Sequence, residues 1–127
     1  MMFKGKEVRV VIVGDAKDAY EKLNEVVGME ISESITSSFN QTLFNAIKQK
    51  IDLLKQNPEF GMHIPKDRIP RDYTINYDAT NLWKVDLPKA WRMIYTLRGS
   101  EVEILTIILD LFDHKEYEKK FRYRKKS

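Results

Sequence analysis

Cysteine is absent from the 127 residues, and with it go disulfide scaffolds, thiol nucleophiles and cysteine-bound zinc. A reducing, cytoplasmic setting suits such a chain. Long apolar runs are missing too. The longest, residues 104–112, is broken by Thr106 and Asp110 and falls well short of the roughly 20 residues of a membrane span. The N-terminal cations Lys4, Lys6 and Arg9 precede an apolar run confined to residues 10–13, too short for the core of a signal peptide. No membrane contact is expected. Glycine is scarce and its five copies are scattered singly, which matches neither a P-loop nor a dinucleotide-binding fingerprint. A Gly-x-Ser-x-Gly nucleophile elbow is lacking as well. The two histidines lie far apart, and Glu101 and Glu103, on one face of a strand beginning, are a thin ligand set. Neither a metal site nor a cofactor is expected.

What is present suits one folded domain spanning residues 1–127: 43% hydrophobic and 32% charged residues, with a formal net charge of only +3. That charge is unevenly placed. From His114 onward seven cations stand against two carboxylates, leaving +5 there and −2 on the rest. Residues 123–127 read as a basic C-terminal tail. Because Tyr117, Phe121 and Tyr123 interleave with the cations, the segment fits either a surface that tracks phosphates or a solubilising end to an ordinary last helix.

Periodicity supplies the elements. Residues 8–13, β-branched at nearly every position and stopped by Gly14, predict a first strand buried on both faces inside a sheet. Asp15 stands where an N-cap would, and Ala16, Ala19, Tyr20, Leu23, Val26 and Val27 keep helical spacing up to Gly28. A second helix is expected from near Ser34, through Ile35, Phe39, Leu43, Ile47, Ile51 and Leu54, until Asn57-Pro58 stops it. The two form a helical hairpin over one sheet face. Residues 58–80, which carry Pro58, Gly61, Pro65 and Pro70 together with Tyr73 and Tyr77, predict a loop holding one short helix. Residues 82–87, 91–97 and 102–109 then predict a β-meander with turns at Pro88-Lys89 and Arg98-Gly99-Ser100. Asp113 caps a final helix reaching about Arg122. The expected fold is α+β in the order β-α-α-β-β-β-α, with the hairpin on a mostly antiparallel four-stranded sheet.

Alternation in the third predicted strand puts Trp91, Met93, Tyr95 and Leu97 on one face and Arg92, Ile94, Thr96 and Arg98 on the other. Arg92 therefore interrupts an apolar face. A desolvated guanidinium needs a partner, which is either a carboxylate, Asp86 or Asp110, or an anion brought by a ligand. Lys84, Arg98, His114, Lys115 and Tyr117 complete a set of cations and aromatics on the last three strands and the start of the final helix.

Three stretches carry a resemblance: Asn81-Leu82-Trp83-Lys84-Val85-Asp86-Leu87-Pro88, Trp91-Arg92-Met93-Ile94-Tyr95, and Ile108-Leu109-Asp110 with Asp113-His114-Lys115-Glu116-Tyr117-Glu118. With the Asn57-Pro58-Glu59-Phe60-Gly61 end of the second helix, their order resembles the RelE/ParE toxin superfamily over residues 8–121. The resemblance implies the toxin of a type II toxin–antitoxin system, an mRNA interferase that enters the ribosomal A site and cuts messenger RNA without metal until a cognate antitoxin covers it. It also implies a homodimer or a toxin–antitoxin hetero-oligomer. By the same likeness Arg92 looks like the phosphate-binding arginine, His114 or Lys115 like the basic group after the last strand, and Tyr117 like the C-terminal catalytic tyrosine. Lys84, Arg98, Lys119, Arg122 and Arg124 are the implied RNA contacts. Histidine titrates nearest neutrality, which suits His114 to proton transfer. The likeness leaves two other readings: a ParE-like toxin that acts on DNA gyrase by protein contact, and a non-cleaving domain that binds RNA or protein.

Two features depart from the family pattern. Asp86 stands where RelE-like enzymes tend to have a lysine, so it pairs with Arg92, repels RNA or serves as a base. Residues 62–80 are longer than a compact member needs. Their Pro65-Lys66-Asp67-Arg68-Ile69-Pro70-Arg71 stretch reads as a proline-stiffened loop or a separate basic contact, and His63 as a structural loop histidine.

Overall fold

The computed structural model describes residues 2–122. Its elements are β1 (Met2–Phe3), β2 (Lys6–Ile12), α1 (Gly14–Ser32), α2 (Phe39–Gln56), β3 (Met62–His63), α3 (Arg71–Tyr77), β4 (Trp83–Asp86), β5 (Arg92–Gly99), β6 (Glu103–Phe112) and α4 (His114–Arg122). Short 3-10 turns lie at Lys66–Arg68 and Pro88–Ala90. The class is α+β, but the sheet has six strands where four were expected, in the order β1-β2-β6-β5-β4-β3. It is mixed: β2 runs parallel to β6 and every other pairing is antiparallel. The two extra strands are two-residue edges, too short to leave a periodic signal in a sequence.

The first strand is less enclosed than its composition suggests. Only Val8 is fully buried in β2, because β1 covers just its first residues, pairing with Lys6 and Glu7. The first helix also differs at both ends. Its N-cap is Val13, with no side-chain cap, and not Asp15. Gly14 makes that turn at φ 53°, and a Cβ there would collide with the Tyr77 hydroxyl. The helix continues past Gly28 to Ser32, since an exposed mid-helix glycine costs only about 1 kcal/mol against alanine. The second helix starts at Phe39, later than expected, because Ser38 is its cap: Ser38 Oγ accepts from the Gln41 N–H at 3.1 Å. Glu30 of α1 accepts from Ser38 Oγ at 2.6 Å and Asn40 Nδ2 at 3.0 Å. These bonds pin the hairpin's closed end and lower the Glu30 pKa.

Both faces of the central strands are buried. Toward the hairpin, Met93, Tyr95, Ile108 and Leu111 pack with Leu43, Ile47 and Leu54. On the opposite face Ile94 and Leu109 pack with Tyr73 of α3, while Tyr117 and Phe121 of α4 lie against the same cluster. The alternation read from residues 91–98 thus holds, with α3 and α4 supplying the second cover.

One irregularity sets up the second face. β5 pairs Ile94 with Asp110 and Tyr95 with Ile108, so Leu109 is an extra residue in β6. This bulge turns Leu109 and Asp110 toward the same side. Asp110 is thereby buried, at 6% exposure, beneath α3 and α4. Its carboxylate accepts from the Tyr73 hydroxyl at 2.7 Å and lies 3.5 Å from Lys120 Nζ. Burial pushes the Asp110 pKa up despite the opposing pull of Tyr73 and Lys120. The Tyr73 hydroxyl is driven up as well, first by burial and then by the Asp110 charge. Lys120 also sits 4.6 Å over the Tyr73 ring and 3.9 Å from Asp72, which fastens α4 to α3 and β6 together.

Candidate functional site

Strand β6 runs directly into α4 through Asp113. Its Oδ1 accepts from the Glu116 N–H at 2.9 Å, the N-cap expected from the sequence. The helix folds back over the sheet face opposite the hairpin, and its inward residues Tyr117 and Phe121, stacked at 4.7 Å, pack against the cluster that includes Ile94 of β5 and Leu109 of β6. Phe112 holds the Tyr117 ring edge-on at 6.1 Å.

Arg92 opens β5 directly across from Asp86 of β4 and Phe112 of β6. Its side chain is 16% exposed, and its Nε lies 3.1 Å from Asp86 Oδ1, the partner that its burial required. That contact is an ion pair rather than a hydrogen bond, for the buried Nε–H is not directed at the oxygen. Nη1 donates to the Trp91 carbonyl at 3.2 Å. The guanidinium carbon is 5.1 Å from the centre of the Tyr117 ring, and Lys84 Nζ is 5.4 Å from the same centre. Two cations from two strands therefore share one aromatic ring. Each gains about 0.5–2 kcal/mol from the ring's quadrupole, and an anion shared between them would relieve their repulsion. Asp86, 67% exposed in its side chain, sits at the rim and competes for Arg92.

The remaining expected residues scatter. His114 lies one turn before Tyr117 on α4, the spacing of helical neighbours. It is exposed and its Nε2 is 3.6 Å from Glu118 Oε1. Lys115 and Lys119 are exposed on α4. Arg98 is at the far end of β5, where it donates to the Tyr77 carbonyl at the end of α3, so it caps a helix instead of joining Arg92. Arg122 is the last helical residue, and Arg124 and the basic tail fall outside the described residues.

Beside the Arg92 group a cleft of about 620 Å³ opens between α4 and residues 62–68, with Lys84 and Tyr117 on its wall. Its other side carries His63 and Arg68. The His63 ring stands edge-on to Trp83 at 4.9 Å. Arg68 belongs to the stretch that the sequence offers as a proline-stiffened loop or a basic contact, whereas the Tyr73–Asp110–Lys120 group was not expected. Among the described residues, no three histidine, aspartate or glutamate side chains converge as a metal site, and no helix is long and apolar enough to cross a membrane.

Comparison of the chain with protein-family models, curated proteins and solved structures found no match. The likeness to the RelE/ParE superfamily therefore rests on the quoted residues alone.

Proposed function

We propose that this chain is a RelE-like toxin, an endoribonuclease that cuts messenger RNA positioned by the ribosome and is silenced by a cognate antitoxin over its basic face. The observation that carries this reading is the meeting of Arg92, Lys84 and Tyr117, three residues from β5, β4 and α4, around one ring. Such a group suits a phosphodiester. Arg92 and Lys84 hold the scissile phosphate and stabilise the charge that builds on it as the neighbouring 2′-oxygen attacks phosphorus. The 2′-proton passes to a base and the departing 5′-oxygen takes a proton from an acid, leaving a cyclic phosphate on the upstream fragment. His114, one turn from Tyr117, is the residue proposed for proton transfer, with Lys115 and Tyr117 orienting or replacing it.

The test maps new messenger RNA 5′ ends on programmed ribosomes for the wild type, Arg92→Ala and His114→Ala, beside a ribosome-free control. Ribosome-dependent cuts that slow about a hundredfold or more in each variant support the reading and both roles. Full activity in one variant removes that residue from the mechanism. The Asp86 carboxylate at 3.1 Å from Arg92 favours one other reading, a domain that binds RNA or protein without cleaving. Absence of cuts by folded wild-type protein would select that reading or the gyrase-directed one, and a gyrase supercoiling assay separates the two.

A further inference from the structure

The cleft between α4 and residues 62–68 continues the Arg92 group, since Lys84 and Tyr117 belong to both. Its volume, about 620 Å³, falls within the range of small-ligand sites. Tyr117 and Phe121 form one wall as a stacked pair, and His63 and Pro65 form the opposite side. The charge lining it is balanced, with Lys84 and Arg68 against Asp67 and Glu118. A second phosphate gains little from that balance. A neutral flat ring with donor and acceptor edges gains more, because the aromatic wall gives it apolar contact and carboxylate oxygens accept more than one N–H each.

From these features we infer that the cleft is a nucleobase subsite. It takes one unpaired base of the RNA strand whose phosphate Arg92 and Lys84 hold, with Arg68 meeting the next phosphate at the mouth. This inference rests on the toxin reading for the identity of the strand. The two places share Lys84 and Tyr117, so a strand whose phosphate meets Arg92 and Lys84 has its neighbouring base within reach of the cleft. Residues 62–68, part of the 62–80 segment that is longer than a compact family member needs, thereby acquire a task.

The test uses the full chain labelled with ¹³C-methyl methionine. Met62 is 62% exposed and lines the cleft, which makes its methyl group a reporter, assigned through Met62→Leu. The probe is a 2′-O-methyl cytidine tetranucleotide, which cannot be cleaved through its 2′-oxygen and whose amino group offers donors to the carboxylates. The comparison ligand is the same backbone without bases. Saturable movement of the Met62 signal by the tetranucleotide is expected, with the abasic backbone binding roughly five- to a hundredfold more weakly and Arg68→Ala weakening both. Equal binding of the two ligands would overturn the subsite, for residues 62–68 would then be a backbone contact. An unmoved Met62 signal would overturn it too; if Arg92→Ala still abolishes ribosomal cleavage, the toxin reading survives and the cleft is left to a peptide. Movement of Met62 by the base-bearing ligand without any ribosomal cleavage would keep the subsite and remove the toxin.

Discussion

Replacing Asp110 tests how α4 is held over the sheet. Its carboxylate is buried, accepts from the Tyr73 hydroxyl at 2.7 Å and faces Lys120 at 3.5 Å. Because burial outweighs these partners and raises the carboxyl pKa, the folded protein holds a proton on Asp110 more readily than the unfolded chain does. The linked stability is then fully present at low pH and is lost as pH rises through the raised folded value. Asp110→Asn keeps an acceptor for Tyr73 and has no charge to bury. We expect it to lie within about 1 kcal/mol of the wild type near pH 7, and the wild type to gain on it as pH falls toward 4. Asp110→Ala strands the buried Tyr73 hydroxyl and should cost about 1–3 kcal/mol. Urea titrations of the three proteins from pH 4 to 8 provide the measurement. Should the wild type lose stability relative to Asp110→Asn on acidification, the partners would outweigh burial and the reasoning would be wrong.

Gly61→Ala places a Cβ 2.7 Å from the Lys84 carbonyl and 2.8 Å from the Tyr95 hydroxyl. That hydroxyl accepts from the Gly61 N–H and donates to the Pro58 carbonyl, so neither neighbour yields cheaply. A loss of roughly 1–3 kcal/mol in urea unfolding is expected, and an unchanged midpoint would show that the loop shifts freely. Asp86→Asn removes the carboxylate that competes for Arg92. Binding of single-stranded RNA should tighten about fivefold at low salt, less at high salt, with little change in stability. Unchanged affinity would mean that the ion pair does not screen the site, and tighter binding joined to lost cleavage would make Asp86 a base.

Local chemistry in the sequence determined much of this protein. Alternation along residues 91–98 divided Met93 and Tyr95 from Arg92 and Ile94 between the two faces, because successive side chains of a strand point to opposite sides, and packing then set the first pair toward the hairpin. Asp113 capped α4 and Asn57-Pro58 stopped α2, each through a backbone constraint that acts within a few residues. Arg92's need for a counter-charge was legible too, as was its choice between two aspartates. Tertiary structure decided the rest. Asp86 won because register sets it directly opposite Arg92, whereas the bulge at Leu109 turned Asp110 beneath α3 and α4 to meet Tyr73 and Lys120. Pairing partners, a one-residue bulge and the angle of a returning helix depend on contacts between segments far apart in the chain, which no local period encodes. The same contacts brought Lys84 and Arg92 onto one tyrosine, while leaving Arg98 at the opposite end of its strand.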